Sequence, residues 1–370
     1  MGKQEWYEVK NVGQIDSPAL LVYPERVTAN IQKTIELAEG DTEKLRPHVK
    51  TNKISEVCNL MLQAGITKYK CATIAEAEML ALIEAPDVLL AYQPVGPKVI
   101  RLLNLVKAYP KTNFSCLVDH ADSATAIQMV CSGENLILDV FLDLNVGMNR
   151  TGILPEKAIE LVNHICGLSN LRLAGFHGYD GHIHDKDLAK RQQAADLAFG
   201  KVQKVRQAVQ PQFAYPLTVV MGGTPTFPLH VRRSDCECSP GTFVFWDWGY
   251  KQILADLPYE YAALVVSRMI SVIDDTHICI DLGYKAVAAE SPLPRVTFLN
   301  APEAHPSAQS EEHLVLEVPD SSKYTLGDVF YSVPKHICPT VALYDKAYII
   351  ENGGMTKMWS VIARNRMIRF

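Results

Sequence analysis

Arg46-Pro47-His48-Val49-Lys50-Thr51-Asn52-Lys53 is the stretch on which the reading of this chain turns. It reads as the end of a short extended run that delivers a lysine, Lys50, beside a proline and a histidine, His48. A lysine at the C-terminal end of a strand is well placed to form a Schiff base with an aldehyde cofactor. Most lysines are solvated surface residues, so position alone leaves Lys50 undistinguished. Its meaning comes from where this run falls in the whole chain.

Outward from that run, short apolar β-rich segments alternate with helical patterns. The pattern predicts strands at Ala19–Tyr23, in the run ending at Lys50–Thr51, and at Tyr69–Thr73, Val88–Tyr92, Phe114–Val118, Leu138–Leu144, Leu171–His177 and Leu217–Met221. It predicts helices from about Pro24 to Glu39, Ser55 to Gln63, Ile74 to Glu84, Pro97 to Ala108, Ala121 to Val130, Pro155 to Cys166 and Asp187 to Val209. Eight strand units, seven of them followed by a helix, close most economically as a parallel (β/α)8 TIM-like barrel. The alternative, a doubly wound open sheet, normally carries a glycine-rich turn after its first strand. Here that turn is Tyr23-Pro24-Glu25.

After roughly Lys251 the texture changes. Ala262–Val272, His277–Asp281, Arg295–Leu299, His313–Val318, Asp328–Val333, Lys346–Glu351 and Met358–Ala363 read as strands between turn-rich segments. Ala301–Ser310, with two prolines, reads as an exposed loop. The fold class expected is therefore α/β plus all-β: a cofactor-binding barrel over residues 16–250 and a β-domain over 251–370, possibly with 1–15.

Composition agrees with a large soluble enzyme. The chain has 370 residues, is 48% apolar and carries a net charge of −5. No basic stripe suggests nucleic acid. Met1-Gly2-Lys3-Gln4-Glu5-Trp6 has no apolar signal core, and no stretch is built to span a membrane, so a cytoplasmic protein is expected. Nine scattered cysteines fit reduced thiols better than a disulfide framework.

In barrels of this kind the active site lies at the C-terminal ends of the strands. Those ends carry Lys50, then Asn145-Val146-Gly147-Met148-Asn149-Arg150-Thr151-Gly152, then His177-Gly178-Tyr179-Asp180-Gly181-His182-Ile183-His184, then Gly222-Gly223-Thr224-Pro225-Thr226. Ser239-Pro240-Gly241-Thr242 follows nearby. Glycines let backbone N–H groups approach an anion, and a threonine hydroxyl adds a donor. A phosphate pocket and a lysine on one rim suggest pyridoxal 5′-phosphate (PLP). Arg150, permanently charged, would tune how strongly such a cofactor withdraws electrons.

These residues together resemble the D-threonine aldolase and D-serine dehydratase family, fold-type III PLP enzymes related to alanine racemase. The resemblance rests on Arg46-Pro47-His48-Val49-Lys50-Thr51, Gly222-Gly223-Thr224-Pro225-Thr226 and the later His336-Ile337-Cys338-Pro339, and runs from Asp16 to about Asp345. It implies that Lys50 carries the cofactor, with His48 beside it. It implies that Arg150 lies near the cofactor ring, Tyr179 along it, and Gly222, Gly223, Thr224, Gly241 and Thr242 around its phosphate. It gives His336 and Cys338 as the two protein ligands of a metal. It leaves His182 and His184 both open as the catalytic histidine. Many relatives carry a second histidine where this chain has Asn52. A homodimer is also implied.

On its own physics, His336-Ile337-Cys338 reads as strand-like, with both side chains on one face. Imidazole plus thiolate suits zinc best, whereas a carboxylate in place of Cys338 would favour manganese. Cys236 and Cys238 share that spacing and leave open a four-ligand structural site; the strand leading into the phosphate segment weighs against it. His313 is a further candidate near the metal, and Tyr284 is the only candidate for the second base of a racemase.

The reaction expected is retro-aldol cleavage of a D-3-hydroxy amino acid to glycine and an aldehyde, with His182 or His184 as base and the metal on the hydroxyl. The alternative is D-serine or D-threonine dehydration to a 2-oxo acid and ammonia, with Lys50 removing the Cα proton. A racemase is the third reading. A non-catalytic PLP carrier is disfavoured by the β-domain and the metal motif.

Overall fold

The computed structural model describes residues 5–370. Met1–Gln4, part of the stretch read above for a signal core, lie outside them. The chain divides into two compact units, each with its own sheet.

The first unit comprises Thr34–Lys50, Cys58–Gly241 and Asn365–Phe370. Its sheet has seven parallel strands in sequence order: Lys68–Cys71, Asp87–Leu90, Asn113–Val118, Leu138–Asp143, Leu171–Gly178, Thr218–Met221 and Cys236–Cys238. Single parallel bridges join Leu45 to Cys238 and His48 to Lys70. The segment around Pro47 therefore joins the two edges of the sheet, as a (β/α)8 barrel requires. Pro47 has no N–H to donate, which suits a position held by isolated bridges rather than a full ladder. Helices between the strands begin at recognisable caps. Thr73 accepts the Glu76 N–H at 3.1 Å and opens the helix Ile74–Leu82, while Asp187 caps Leu188–Val209. Leu89, Leu117, Phe141 and Val220 form an apolar cluster among these strands.

Two expectations about this barrel are corrected. The predicted first strand does not belong to it: Ala19–Val22 pairs antiparallel with Ala263–Asp274 and parallel with Lys346–Glu351 in the other unit. All four residues are buried, so the run announces a central strand but not its partners. The vacant place is taken by Cys236–Cys238, too short for a periodic signal and preceded only by the four-residue helix Phe227–His230. Lys50 does not end a regular strand either. It sits in a 3-10 turn, Val49–Thr51.

The second unit comprises the chain up to Lys33, Thr51–Val57 and Thr242–Arg364. Its nine-stranded sheet is organised around the long strand Ala263–Asp274, which pairs with Ala19–Val22, His277–Ile280 and Val329–Pro334. The predicted exposed loop at 301–310 contains a strand, His305–Gln309, paired with Leu314–Glu317. It is an edge strand with Pro306 in it, and most of it is exposed, which explains its loop-like composition. The last predicted strand is displaced to Gly354–Ser360. Asn352 and Gly353, at φ +53° and +72°, make the tight hairpin turn that precedes it. Two apolar clusters fill this unit, one around Ile278, Leu314 and Phe330, the other around Leu21, Val266 and Val333.

No helix among the described residues is long and apolar enough to cross a membrane.

Arg46 locks the barrel closure. It is 3% exposed, donates from Nε to Glu237 at 2.7 Å and from Nη1 to Asp87. Burial works against its charge, but the two carboxylates outweigh that and hold its pKa up. Removing it would leave Asp87 without its cation and Glu237 with Lys68 alone. Arg46→Ala should lower the unfolding free energy by about 3 kcal/mol, measured by urea denaturation.

Candidate functional site

Tyr179, which follows the strand Leu171–Gly178, gathers three cations. Lys50 Nζ lies 5.8 Å from its ring centroid, Lys70 Nζ 5.6 Å and Arg150 Cζ 5.0 Å. Each is within cation–π range. The three like charges repel one another, so the place suits an anionic ligand. Gly181 is needed here: a Cβ would sit 2.4 Å from the Tyr179 ring. The Lys50 N–H donates to His48 Nδ1 at 3.3 Å. Asn52 accepts the Ile54 N–H at 3.0 Å and is buried.

Sequence reasoning missed the polar layer below this ring. Lys70, 2% exposed, lies 3.4 Å from His177 Nε2, and His177 Nδ1 lies 2.7 Å from Asp143 Oδ1. Thr151 and Gln93 both donate to Asp143 Oδ2 at 2.9 Å. Burial, then the nearby charge of Lys50, push the Lys70 pKa down to about 7. Burial and Lys70 hold His177 below the ordinary histidine range despite Asp143. Asp143 stays below the carboxylate range: burial opposes this, but the His177, Thr151 and Gln93 hydrogen bonds win. His177 is therefore neutral, with its proton on Nδ1 facing Asp143. The available signal was a lysine inside a buried strand run and an acid at the end of another, Leu138–Asp143.

The loop carrying Arg150 is pinned on both sides. Asn145 Oδ1 accepts the N–H groups of Gly147 at 3.0 Å and Asn149 at 3.2 Å, and Gly152 N–H donates to Asp119 at 3.0 Å. His182 and His184 are exposed and line a cavity of about 610 Å3 with Val146, Gly147, Lys190 and Lys201. The histidine placed in the cation cluster is His177.

The turn after Thr218–Met221 has the form of an anion cradle. Gly222 takes φ +79°, and a Cβ at Gly223 would stand 3.2 Å from the Tyr179 ring. Thr224 Oγ1 accepts the Gly241 N–H at 3.1 Å. Ser239 N–H donates to the Gly222 carbonyl, while Ser239 Oγ is buried with no hydrogen-bond partner in the protein. An uncommitted buried hydroxyl is rare, and a phosphate oxygen would satisfy it. Beneath the turn, the fully buried Asp180 accepts from His230 Nε2 at 2.8 Å, Thr226 Oγ1 at 2.9 Å and Gly223 N at 3.4 Å. The residues present thus fit PLP: a lysine, a cationic ring of side chains and a phosphate turn with a spare donor.

In the β unit, His336 and Cys338 come together, though not as predicted. The segment is not strand-like: His336 caps the short helix Ile337–Val341 and Cys338 lies in its first turn. Cys338 lies near enough to the imidazole to raise its pKa, against the effect of burial. His336 Nδ1 is 2.5 Å from Glu290 Oε1, the kind of carboxylate contact that orients a metal-binding imidazole. Cys338 Sγ is 3.1 Å from Thr51 Oγ1 and 3.7 Å from Thr242 Oγ1. Imidazole and thiol side by side fit a zinc-like ion. Among the described residues no group of three or more His, Cys, Asp or Glu side chains is arranged to hold a metal, so the chain itself presents a pair. Cys236 and Cys238 are both buried in a barrel strand, and the Cys236 thiol donates to the Glu237 carbonyl at 3.7 Å. Tyr284 OH donates to Glu311 on an exposed segment, and His313 is exposed.

Comparison with known proteins agrees with this geometry. Residues 22–247 match the family described as alanine racemase, N-terminal domain, and residues 262–350 the one described as putative serine dehydratase domain. The chain belongs to the alanine racemase-like, fold-type III family, in the branch of D-threonine aldolases and D-serine dehydratases. The D-threonine aldolase of Arthrobacter sp. is 25% identical over 363 residues, 95% of this chain and 94% of that protein. The D-threo-3-hydroxyaspartate dehydratase of Delftia sp. (strain HT23) is 23% identical over 376 residues, 93% of this chain and 97% of that protein. The crystal structure of D-threonine aldolase from Filomicrobium marinum matches with a TM-score of 0.87 at 25% identity, over 95% of this chain and 96% of that one.

Asp180 supplies a stability test. Burial alone would raise its pKa, but His230, Thr226 and Gly223 hold it below the ordinary carboxylate range. Its stabilisation is complete above the unfolded carboxylate pKa, about 3.9, and is lost as pH falls through the lower folded value. Asp180→Asn should cost about 3 kcal/mol at neutral pH and flatten the acid limb of the melting temperature against pH.

Proposed function

We propose that this chain is a PLP-dependent, metal-activated lyase that cleaves D-3-hydroxy amino acids such as D-threonine to glycine and an aldehyde. The observation that carries this reading is the contact of Cys338 with Thr51, the residue directly after Lys50. Cys338, one of the metal-type donor pair, thereby meets the residue that follows the lysine in the sequence. A racemase has no evident use for it.

PLP, when bound, supplies an electron sink for bonds at the carbon bearing the substrate amine. Lys50 holds its aldehyde end, with His48 fixing the turn. Arg150 and Tyr179 flank the ring. Gly222, Gly223, Thr224, Gly241 and Thr242 hold the phosphate, and Ser239 adds its hydroxyl. His336 and Cys338 hold a divalent metal, zinc in preference to manganese because of the thiolate, and the metal supplies Lewis acidity toward the hydroxyl. His182 or His184 takes the hydroxyl proton. The roles divide between a cofactor-binding barrel, expected over 16–250 but without its predicted first strand, and a metal-bearing β-domain. The nine free thiols support a cytoplasmic setting, and the family resemblance supports a homodimer.

Dehydration to a 2-oxo acid and ammonia is the second reading, favoured by the thiol ligand and by the dehydratase relative. The racemase reading is left with Tyr284 alone, its hydroxyl engaged by Glu311.

Incubation of the purified protein with PLP and Zn²⁺ or Mn²⁺ on D-threonine and D-serine should yield glycine with acetaldehyde from D-threonine. A 2-oxo acid with ammonia would select dehydration instead, and no product of either kind, with or without metal, would refute the lyase reading. His336→Ala should lose bound metal by elemental analysis and reduce turnover about 100-fold or more. Undiminished metal content would move the site elsewhere.

A further inference from the structure

His230 is a fully buried side chain that the proposed reaction leaves without a role. It ends the short helix Phe227–His230, which springs directly from the phosphate-type turn. Phe227 N–H donates to the Gly223 carbonyl at 2.8 Å, and His230 N–H to the Thr226 carbonyl at 3.1 Å. Arg233 Nε lies 3.2 Å from His230 Nδ1, and a guanidinium can only donate. Nδ1 therefore presents its lone pair to Arg233, and Nε2 carries the hydrogen that goes to Asp180 Oδ2 at 2.8 Å. Arg233 is itself paired with Asp196 at 2.5 Å. The imidazole is thus fixed at both nitrogens.

Asp180 stands between this imidazole and the turn. Its Oδ2 takes the His230 hydrogen, while its Oδ1 accepts from Thr226 Oγ1 at 2.9 Å and from Gly223 N–H at 3.4 Å. The turn also packs on two rings. A Cβ at Gly222 would stand 3.2 Å from His230 Cδ2, and one at Gly223 would stand 3.2 Å from the Tyr179 ring. A buried carboxylate must be supplied with donors at both oxygens. Without His230, Asp180 would draw on the turn for the missing donor, and the N–H groups of that turn are what an incoming phosphate needs.

We propose that His230 is a positioning residue for the cofactor phosphate: by supplying Asp180 from below, it keeps the turn 222–226 in the form that receives the phosphate. This rests on that turn being the phosphate site of PLP. His230 acts through Asp180 rather than on the phosphate itself. Sequence offered no sign of it, because the imidazole and the carboxylate lie 50 residues apart and meet only in the fold.

The test uses the full chain, stripped of cofactor and titrated with PLP and, separately, with pyridoxal, which has the same ring and aldehyde but no phosphate. Attachment is read from the visible absorbance of each compound. His230→Leu should raise the Kd for PLP about tenfold and leave the Kd for pyridoxal unchanged. His230→Gln, whose amide nitrogen takes the place of Nε2 and still donates to Asp180, should keep the wild-type Kd for PLP. If His230→Leu fails to fold, Thr226→Val removes another donor to Asp180 at nearly constant size and should show the same PLP-selective loss. Equal weakening of PLP and pyridoxal marks a merely structural role and overturns the proposal. So does an unchanged PLP Kd in the folded variant, or a His230→Gln protein as weak as His230→Leu. If the wild-type protein binds PLP no more tightly than pyridoxal, the phosphate reading of the turn itself fails, and this proposal falls with it.

Discussion

The ion pairs of Arg46 are the constraint on which the site depends. A parallel barrel must bring its first and last strands together, and here the closing segment has only isolated bridges, at Leu45 and His48. Arg46 lies between them and binds Glu237 and Asp87, from strands on either side. The clamp is costly to desolvate, so its net worth against an apolar replacement is small, but breaking it leaves buried charge unpaired. Placement is what the site needs: Lys50 lies four residues on, in the 3-10 turn that follows the closing segment.

Once Lys50 is fixed, the chemistry of the rim follows from charge. Lys50, Lys70 and Arg150 converge on one aromatic ring with a phosphate-type turn beside it. The carboxylates that balance them are held back. Asp143 is occupied by His177, Thr151 and Gln93, and Asp180 by His230 and Thr226. An arrangement of converging cations with the nearby carboxylates already hydrogen-bonded is preorganised for an anionic ligand.

Much of this was legible in the residues. Arg150, Tyr179 and the Gly222-Gly223-Thr224 turn lie in short motifs after barrel strands, and Lys50 in a turn after the closing segment, where spacing and position carry information. The strand-like geometry read for His336 and Cys338 is replaced by a helix start: His336 is the N-cap of Ile337–Val341 and Cys338 lies in its first turn. Strand membership was less legible. Ala19–Val22 is as apolar as any barrel strand, and only long-range pairing sends it to the other sheet. Cys236–Cys238 is three residues long and gives no period. Lys70, His177 and Asp143 were overlooked because a buried polar network has no periodic signature; its members lie 107 and 34 residues apart and meet only in the fold.

The central claim is that Lys50, and not the neighbouring Lys70, carries the cofactor. Reduction of the PLP-loaded protein with borohydride, followed by proteolysis and mass mapping, tests it most directly. The account predicts one pyridoxyl label, on the peptide containing Lys50, and its loss in Lys50→Ala. A label on Lys70, or on any lysine outside the Arg46–Lys53 segment, would contradict it.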